Sequence, residues 1–190
     1  FAGHGETETV GRLKNEKQEG YLMPVDGDLE DLYLTAIPME ELKRLAENAN
    51  AKHMLFMVDA CYGGLAAVHS RGLTDVNAPN YIEVIAEDVS RQIITAGSAD
   101  QVVISKDEWE HSAFTKNIIS GLREENADRD LDGVITGSEL GDYITQTVML
   151  DTDNSQLPQS ERLTVDRGEI IFIPPIKVKK ENDNEIEKLQ

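Results

Sequence analysis

The sequence predicts an α/β domain built around a mostly parallel sheet, and three observations predict it. PMEELKRLAENANA, starting at Pro38, has the periodicity of an amphipathic helix and leads into HMLFMV, an apolar run without alternation, as in a strand buried on both faces. RQIITAG repeats the buried-strand signature. HSAFTKNIISGL follows it as a second helix, with Phe114, Ile118 and Leu122 spaced four apart. Helices alternating with buried strands are the mark of a parallel α/β sheet.

Taken in order, the elements give one domain. FAGHGETETV carries neither an initiator Met nor the charged and apolar regions of a signal peptide, and it reads as the end of a strand. An N-terminal part of the fold, with any targeting information or further domains, is therefore expected before Phe1. Pro38 suits the first helical position and Glu40 and Glu41 the positive helix end, while Leu42, Leu45, Ala46 and Ala49 form one apolar face. Residues 64–90 show weak periodicity and are expected to be a long loop with a short helix. GEIIFIP reads as a last strand, stopped by Pro174 and Pro175. The domain is expected over 1–175, with an insertion at about 114–150, and 176–190 as a charged tail or linker.

The bulk properties exclude several classes. No apolar run approaches the ~18–20 residues of a membrane span. The single cysteine makes an internal disulfide impossible. A formal charge of −18 disfavours nucleic acid and favours cationic partners, basic peptides or metal ions. A soluble protein is expected; nothing in the sequence fixes a compartment, with the cytoplasm favoured over export.

That one cysteine, Cys61, sits where LFMVDACYGG turns from apolar residues into glycines, and His4 lies between Gly3 and Gly5 just past FA. In open parallel sheets reactive groups gather beyond the carboxyl ends of strands. A thiol with an ordinary pKa of about 8.5 is mostly protonated at neutral pH, and an imidazole beside it can activate it or protonate a leaving amine. The backbone N–H groups of Gly5 and Cys61 are natural partners for a substrate oxyanion. Taken alone, a cysteine after a buried strand is more often inert core; the pairing with His4 points to catalysis.

FAGHG followed by DACYGG, with 57 residues from His4 to Cys61, resembles the caspase-like cysteine peptidases, the caspases, paracaspases, metacaspases and their bacterial relatives. GYLMPVD, RQIITAGSADQ, HSAFTKNIISGL and GEIIFIP look like bacterial members of that family. The resemblance implies a caspase-like three-layer α/β/α sandwich, a catalytic dyad of His4 and Cys61, and peptide or protein substrates. Caspases proper carry Gln-Ala-Cys at the nucleophile, whereas this chain has Asp59-Ala60-Cys61. Two residues before the nucleophile on a strand, Asp59 points to the same side and could pair with a cationic side chain. Metacaspases and paracaspases, which the sequence resembles here, cleave after Arg or Lys, and the matching Asp lines their S1 pocket. Ala2 would form a small wall of that pocket and Asp26 its rim. The alternative for Asp59 is a purely structural role. The alternative for the chain is a catalytically silent module that binds calcium and partners.

DRDLDGVITGSE has the calcium-loop spacing of an EF-hand: Asp128, Asp130 and Asp132 at positions 1, 3 and 5, Gly133 at the turn, the Val134 carbonyl, Thr136 at position 9 and Glu139 as the twelfth ligand. Four carboxylates in twelve residues repel one another without a cation, and the oxygen-rich set suits Ca²⁺. A lone loop of this kind usually lacks its pairing partner, so modest affinity and a bracing role are expected. His53, His69 and His111 have no metal-ligand spacing, and Trp109 is expected to pack or to cover a pocket.

Overall fold

The computed structural model describes residues 1–11, 16–62, 80–98 and 101–174; the expectations for His69, for Gly63 and Gly64, and for the tail lie outside them. The central sheet has the order β4 (His53–Tyr62), β5 (Ser90–Ser98), β7 (Gln159–Arg162). β4 and β5 run parallel, and β7 pairs antiparallel with β5. On the far side of β4, Ala2 bridges to Asp59 in the parallel sense, so the chain before His4 continues the sheet. The sheet is thus mixed, with parallel pairing on both sides of β4, in keeping with the expected α/β class, and β7 as its antiparallel strand. QSER, the sequence of β7, is too polar to read as a strand from periodicity.

Alternation along the strands sorts side chains onto two faces. Phe56, Val58 and Ala60 of β4 and Ile93 of β5 pack with Met39, Leu42 and Ala46 of α2 (Met39–Asn48). Leu55 of β4 with Ile94 and Ala96 of β5 packs against Ala113 and Phe114 of α4 (Ala113–Arg123) and Leu140, Ile144 and Val148 of α5 (Gly137–Asp151). Helices on both faces make the three layers. Burying a side chain such as Phe114, 1% exposed, contributes roughly 1.5–3 kcal/mol.

Three details depart from expectation. Pro38 is the N-cap of α2 rather than its first residue. Leu45 is 49% exposed, because Met39, Leu42 and Ala46 already fill the stripe that meets the sheet. The C-terminal end of α2 is held instead by buried Arg91, whose guanidinium donates to the carbonyls of Ala46, Ala49, Ala51 and Lys52. A cation there complements the negative end of the helix and is itself satisfied. The third is GEIIFIP, of which only β8 (Ile171–Phe172) is a strand. It pairs with β6 (Ile135–Thr136), not with the central sheet. The short helix expected within 64–90 is α3 (Tyr81–Glu87).

A second sheet of three short strands follows His4. β1 (Gly5–Val10) pairs antiparallel with β2 (Lys17–Leu22), which pairs with β3 (Ile37–Pro38). The four-residue helix α1 (Leu32–Thr35) precedes β3. Buried Tyr21 and Leu22 anchor β2, and Leu22 joins the cluster under α2.

Candidate active site

The backbone brings the two candidate catalytic residues to one end of the sheet. Gly3 N–H donates to the Asp59 carbonyl at 3.2 Å and Asp59 N–H to the Phe1 carbonyl at 2.9 Å, which locks the segment before His4 alongside β4. His4 follows that segment, and its carbonyl accepts from Met23 N–H at 3.0 Å, tying the turn to the end of β2. Cys61 lies near the end of β4, opposite Gly97 of β5. The register between these strands shifts between Val58 and Cys61, the kind of irregularity that re-aims a side chain beside a site.

Cys61 and His4 line a single cavity of about 240 Å³, together with Gly3, Gly5, Gln101, Val102 and Val103. His4 is exposed and Cys61 half-buried. Burial, and then the negative charge of Asp59, push the Cys61 thiol up to about 11. The thiol is therefore protonated at neutral pH, and a nucleophilic attack needs a proton acceptor in this cavity. Among the described residues lining it, His4 is the side chain of that kind.

Gly97 explains how closely the thiol is seated. A Cβ on Gly97 would lie 3.0 Å from Cys61 Sγ and 2.8 Å from Gln101 Oε1, so the bare backbone is what lets both approach β5. Gln101, absent from the sequence-based candidates, is held at the cavity by its Oε1, which accepts from Ser98 N–H at 3.1 Å and Leu157 N–H at 3.0 Å. With the oxygen so used, its Nε2 is the donor end. The position just past the carboxyl end of β5 was the available signal for it.

Asp59 is tied to α4. Its Oδ2 accepts from Ser112 Oγ at 2.5 Å and from Thr115 Oγ1 at 2.6 Å, while Ser112 Oγ also caps α4 by accepting from Thr115 N–H at 3.0 Å. Asp59 Oδ1 is screened from water and has no hydrogen-bond partner among the described residues. Ala2 lies beside Asp59 through the backbone bridge, and neither is among the described residues lining the Cys61 cavity. Asp26 is exposed on the turn closed by Gly27 N–H to the Pro24 carbonyl, and it too is apart from that cavity.

The acidic loop lies elsewhere, between α4 and α5. Carboxylate oxygens of Asp128, Asp130 and Glu139 lie within 4.8 Å of one another. Asp128 Oδ1 is closed to water and unpartnered among the described residues, the kind of acceptor a cation would satisfy. Asp128 Oδ2 accepts from Gly133 N–H at 3.0 Å, with Gly133 at φ +85°, where glycine is favoured. Asp132 faces the chain instead, accepting from Val134 N–H at 2.8 Å, and Thr136 caps α5 in a reciprocal box with Glu139. The donor set therefore fits a hard oxygen-seeking cation, with Asp128, Asp130 and Glu139 as its core. Ile135, fully buried, pairs with Phe172, which ties the end of the loop to β8.

The remaining expectations sort simply. His53 Nε2 shares a hydrogen bond with the Asp88 carbonyl at 3.0 Å, which ties the start of β4 to the end of α3. His111 is exposed. Trp109 packs on the second core and lies under Lys106 and Lys116, whose ammonium groups are 4.2 and 4.8 Å from the ring centroid.

No curated protein matches the chain. Among protein families, the one described as Caspase domain matches residues 1–167, which takes in His4, Cys61, the α4 block and the acidic loop. With the α/β frame and a cysteine and histidine meeting at one cavity, the match is unambiguous: the chain belongs to the caspase-domain family of cysteine peptidases.

Proposed function

We propose that the protein is a metacaspase-type endopeptidase that cleaves peptide bonds after Lys or Arg with a Cys61–His4 dyad. The observation that carries the reading is the convergence of Cys61 and His4 on one cavity at the ends of neighbouring parallel strands. In the first step His4 accepts the thiol proton as Cys61 Sγ attacks the carbonyl carbon, and the negative charge moves to the carbonyl oxygen, where the N–H groups of Gly5 and Cys61 are the proposed donors. Collapse of this intermediate breaks the C–N bond, and the imidazolium delivers its proton to the leaving amine. Water then hydrolyses the thioester, giving its proton to His4, and the thiol is restored.

Asp59 supplies the proposed specificity. Its charge is one of two causes that raise the Cys61 thiol, so a cationic side chain seated on Asp59 removes that cause and lowers the thiol as substrate arrives. Recognition and activation are then linked through one carboxylate. The test is a panel of fluorogenic peptides ending in Arg, Lys, Asp or Asn, assayed with wild type, Cys61→Ala and Asp59→Asn. Cleavage after Arg or Lys that is lost in Cys61→Ala supports the reading; cleavage after Asp or Asn removes the Asp59 assignment. A folded protein that cleaves none of them would favour the silent binding module instead.

The acidic loop is proposed as a Ca²⁺ site that braces the α4–α5 insertion rather than taking part in the chemistry. Its support is the converging Asp128, Asp130 and Glu139 carboxylates and the orphaned Asp128 oxygen. Calorimetric titration with CaCl₂ should show one site that Glu139→Ala abolishes, with a melting temperature raised by Ca²⁺ and lowered by chelator. Heatless titrations with an unchanged melting temperature would remove the site.

A further inference from the structure

The two oxygens of Asp59 are not equivalent. Oδ2 accepts two short hydrogen bonds, from Ser112 Oγ at 2.5 Å and Thr115 Oγ1 at 2.6 Å, and both hydroxyls come from the first turn of α4. A carboxylate oxygen has two in-plane lone pairs, so Oδ2 has little capacity left. Oδ1 has no hydrogen-bond partner among the described residues and is closed to water. Leaving a buried carboxylate oxygen unsatisfied costs more than a typical hydrogen bond contributes, and such an atom in a native fold asks for an explanation.

We infer that Ser112 and Thr115 are specificity-determining positioning residues, which fill one oxygen of Asp59 so that a lysine ammonium is accepted at the other in preference to an arginine fork. The inference rests on the reading of Asp59 as the substrate's cation acceptor and names the side chain that the pocket takes. The chemistry follows from the shape of the two cations. Guanidinium binds carboxylate best through two parallel N–H···O bonds, one to each oxygen. An ammonium is a point charge that needs only one acceptor from this group. Because Oδ1 is closed to water, substrate binding has to part the side chains over it, and the cation that enters replaces no partner among the described residues. The fixed hydroxyls also keep the carboxylate from rotating to offer both oxygens.

The experiment compares kcat/KM on two peptides that differ only in Lys or Arg before the scissile bond. Wild type should favour the lysine peptide by about tenfold, the size of one missing charge-assisted hydrogen bond. Thr115→Val keeps the shape of the side chain and frees one site on Oδ2, and it should move the ratio severalfold toward arginine. Thr115→Ser keeps the hydroxyl and should restore the wild-type ratio. Ser112→Ala should shift it in the same direction as Thr115→Val, with a lower melting temperature from the lost cap. A purely structural role would lower stability or overall rate and leave the ratio alone. An arginine preference in wild type, or a ratio unmoved in both Thr115→Val and Ser112→Ala while Asp59→Asn abolishes cleavage after basic residues, overturns the inference and spares the Asp59 reading. Retention of basic preference in Asp59→Asn removes that reading, and the inference falls with it.

Discussion

Gly97→Ala probes the seating of the thiol without depending on any substrate. The added methyl would meet Cys61 Sγ at 3.0 Å and Gln101 Oε1 at 2.8 Å, where ordinary contact begins at 3.4 Å. Gln101 is a flexible side chain, but its oxygen holds Ser98 N–H and Leu157 N–H, so moving it gives up those bonds. The Cys61 Sγ has to retreat by at least a few tenths of an ångström, and it is fixed to β4 through one rotatable bond. Overpacking of this kind costs about 1–3 kcal/mol, which for a chain of this length lowers the melting temperature by roughly 2–12 °C. A shift of ~1 Å at a reacting atom can cost about a hundredfold in rate. The assays are thermal unfolding and the alkylation rate of Cys61 by iodoacetamide at fixed pH. A variant with wild-type stability and an unchanged alkylation rate would refute the packing of the thiol against β5.

Three further outcomes are expected. Without substrate, alkylation of Cys61 should be slow at neutral pH and rise toward a midpoint near about 11, and Asp59→Asn should move the profile to lower pH because it removes the second of the two causes; rapid labelling well below pH 8 would mean that His4 activates the thiol at rest. Gln101→Glu keeps the acceptor for Ser98 and Leu157 and loses the Nε2 donor, so it should hold its melting temperature, whereas Gln101→Ala should fall by about 2–4 °C for each ~1 kcal/mol lost. Burial alone would push the Asp151 carboxyl up, but hydrogen bonds from Lys116 and Asn117 and the charges of Lys116 and Lys106 hold it below the usual value. Its stabilising effect is therefore complete above the unfolded value of about 4 and is lost as pH falls through the folded value. Asp151→Asn should shrink the drop in melting temperature between pH 6 and pH 3, and an unchanged drop would remove Asp151 from the acid response.

What could be read from the sequence followed from strong local constraints. β4 announces itself because burial on both faces favours an apolar run, β5 through Ile93 and Ile94, and α2 and α4 because a helix on a sheet needs an apolar stripe. The acidic loop is legible for a similar reason: the order of its carboxylates and the glycine between them follow the spacing of a calcium loop, which the proposed cation would require. The strands β1, β2 and β7 were not legible, since GETETV, KQEGYL and QSER are largely polar and take their places from tertiary pairing. Leu45 shows the limit of a helical stripe, whose edge depends on what the helix meets. Cys61 and His4 stood out as residues at glycine-relieved strand ends. Ser112 and Thr115 did not, because a hydroxyl in the first turn of a helix reads equally well as a cap. Their second partner, Asp59, lies 53 and 56 residues away in the chain.

The central claim, that Cys61 is a nucleophile working with His4 on substrates with a basic residue at the cleavage site, is tested most directly by covalent capture. The purified protein would be treated at neutral pH with a peptidyl acyloxymethyl ketone bearing Lys, and with its Asp counterpart, and the adduct located by mass spectrometry. The account predicts one adduct, on Cys61, formed much faster with the Lys reagent, strongly slowed in His4→Ala and absent in Cys61→Ala. No adduct on a folded protein, an adduct at another residue, or equal capture by the Asp reagent would contradict it.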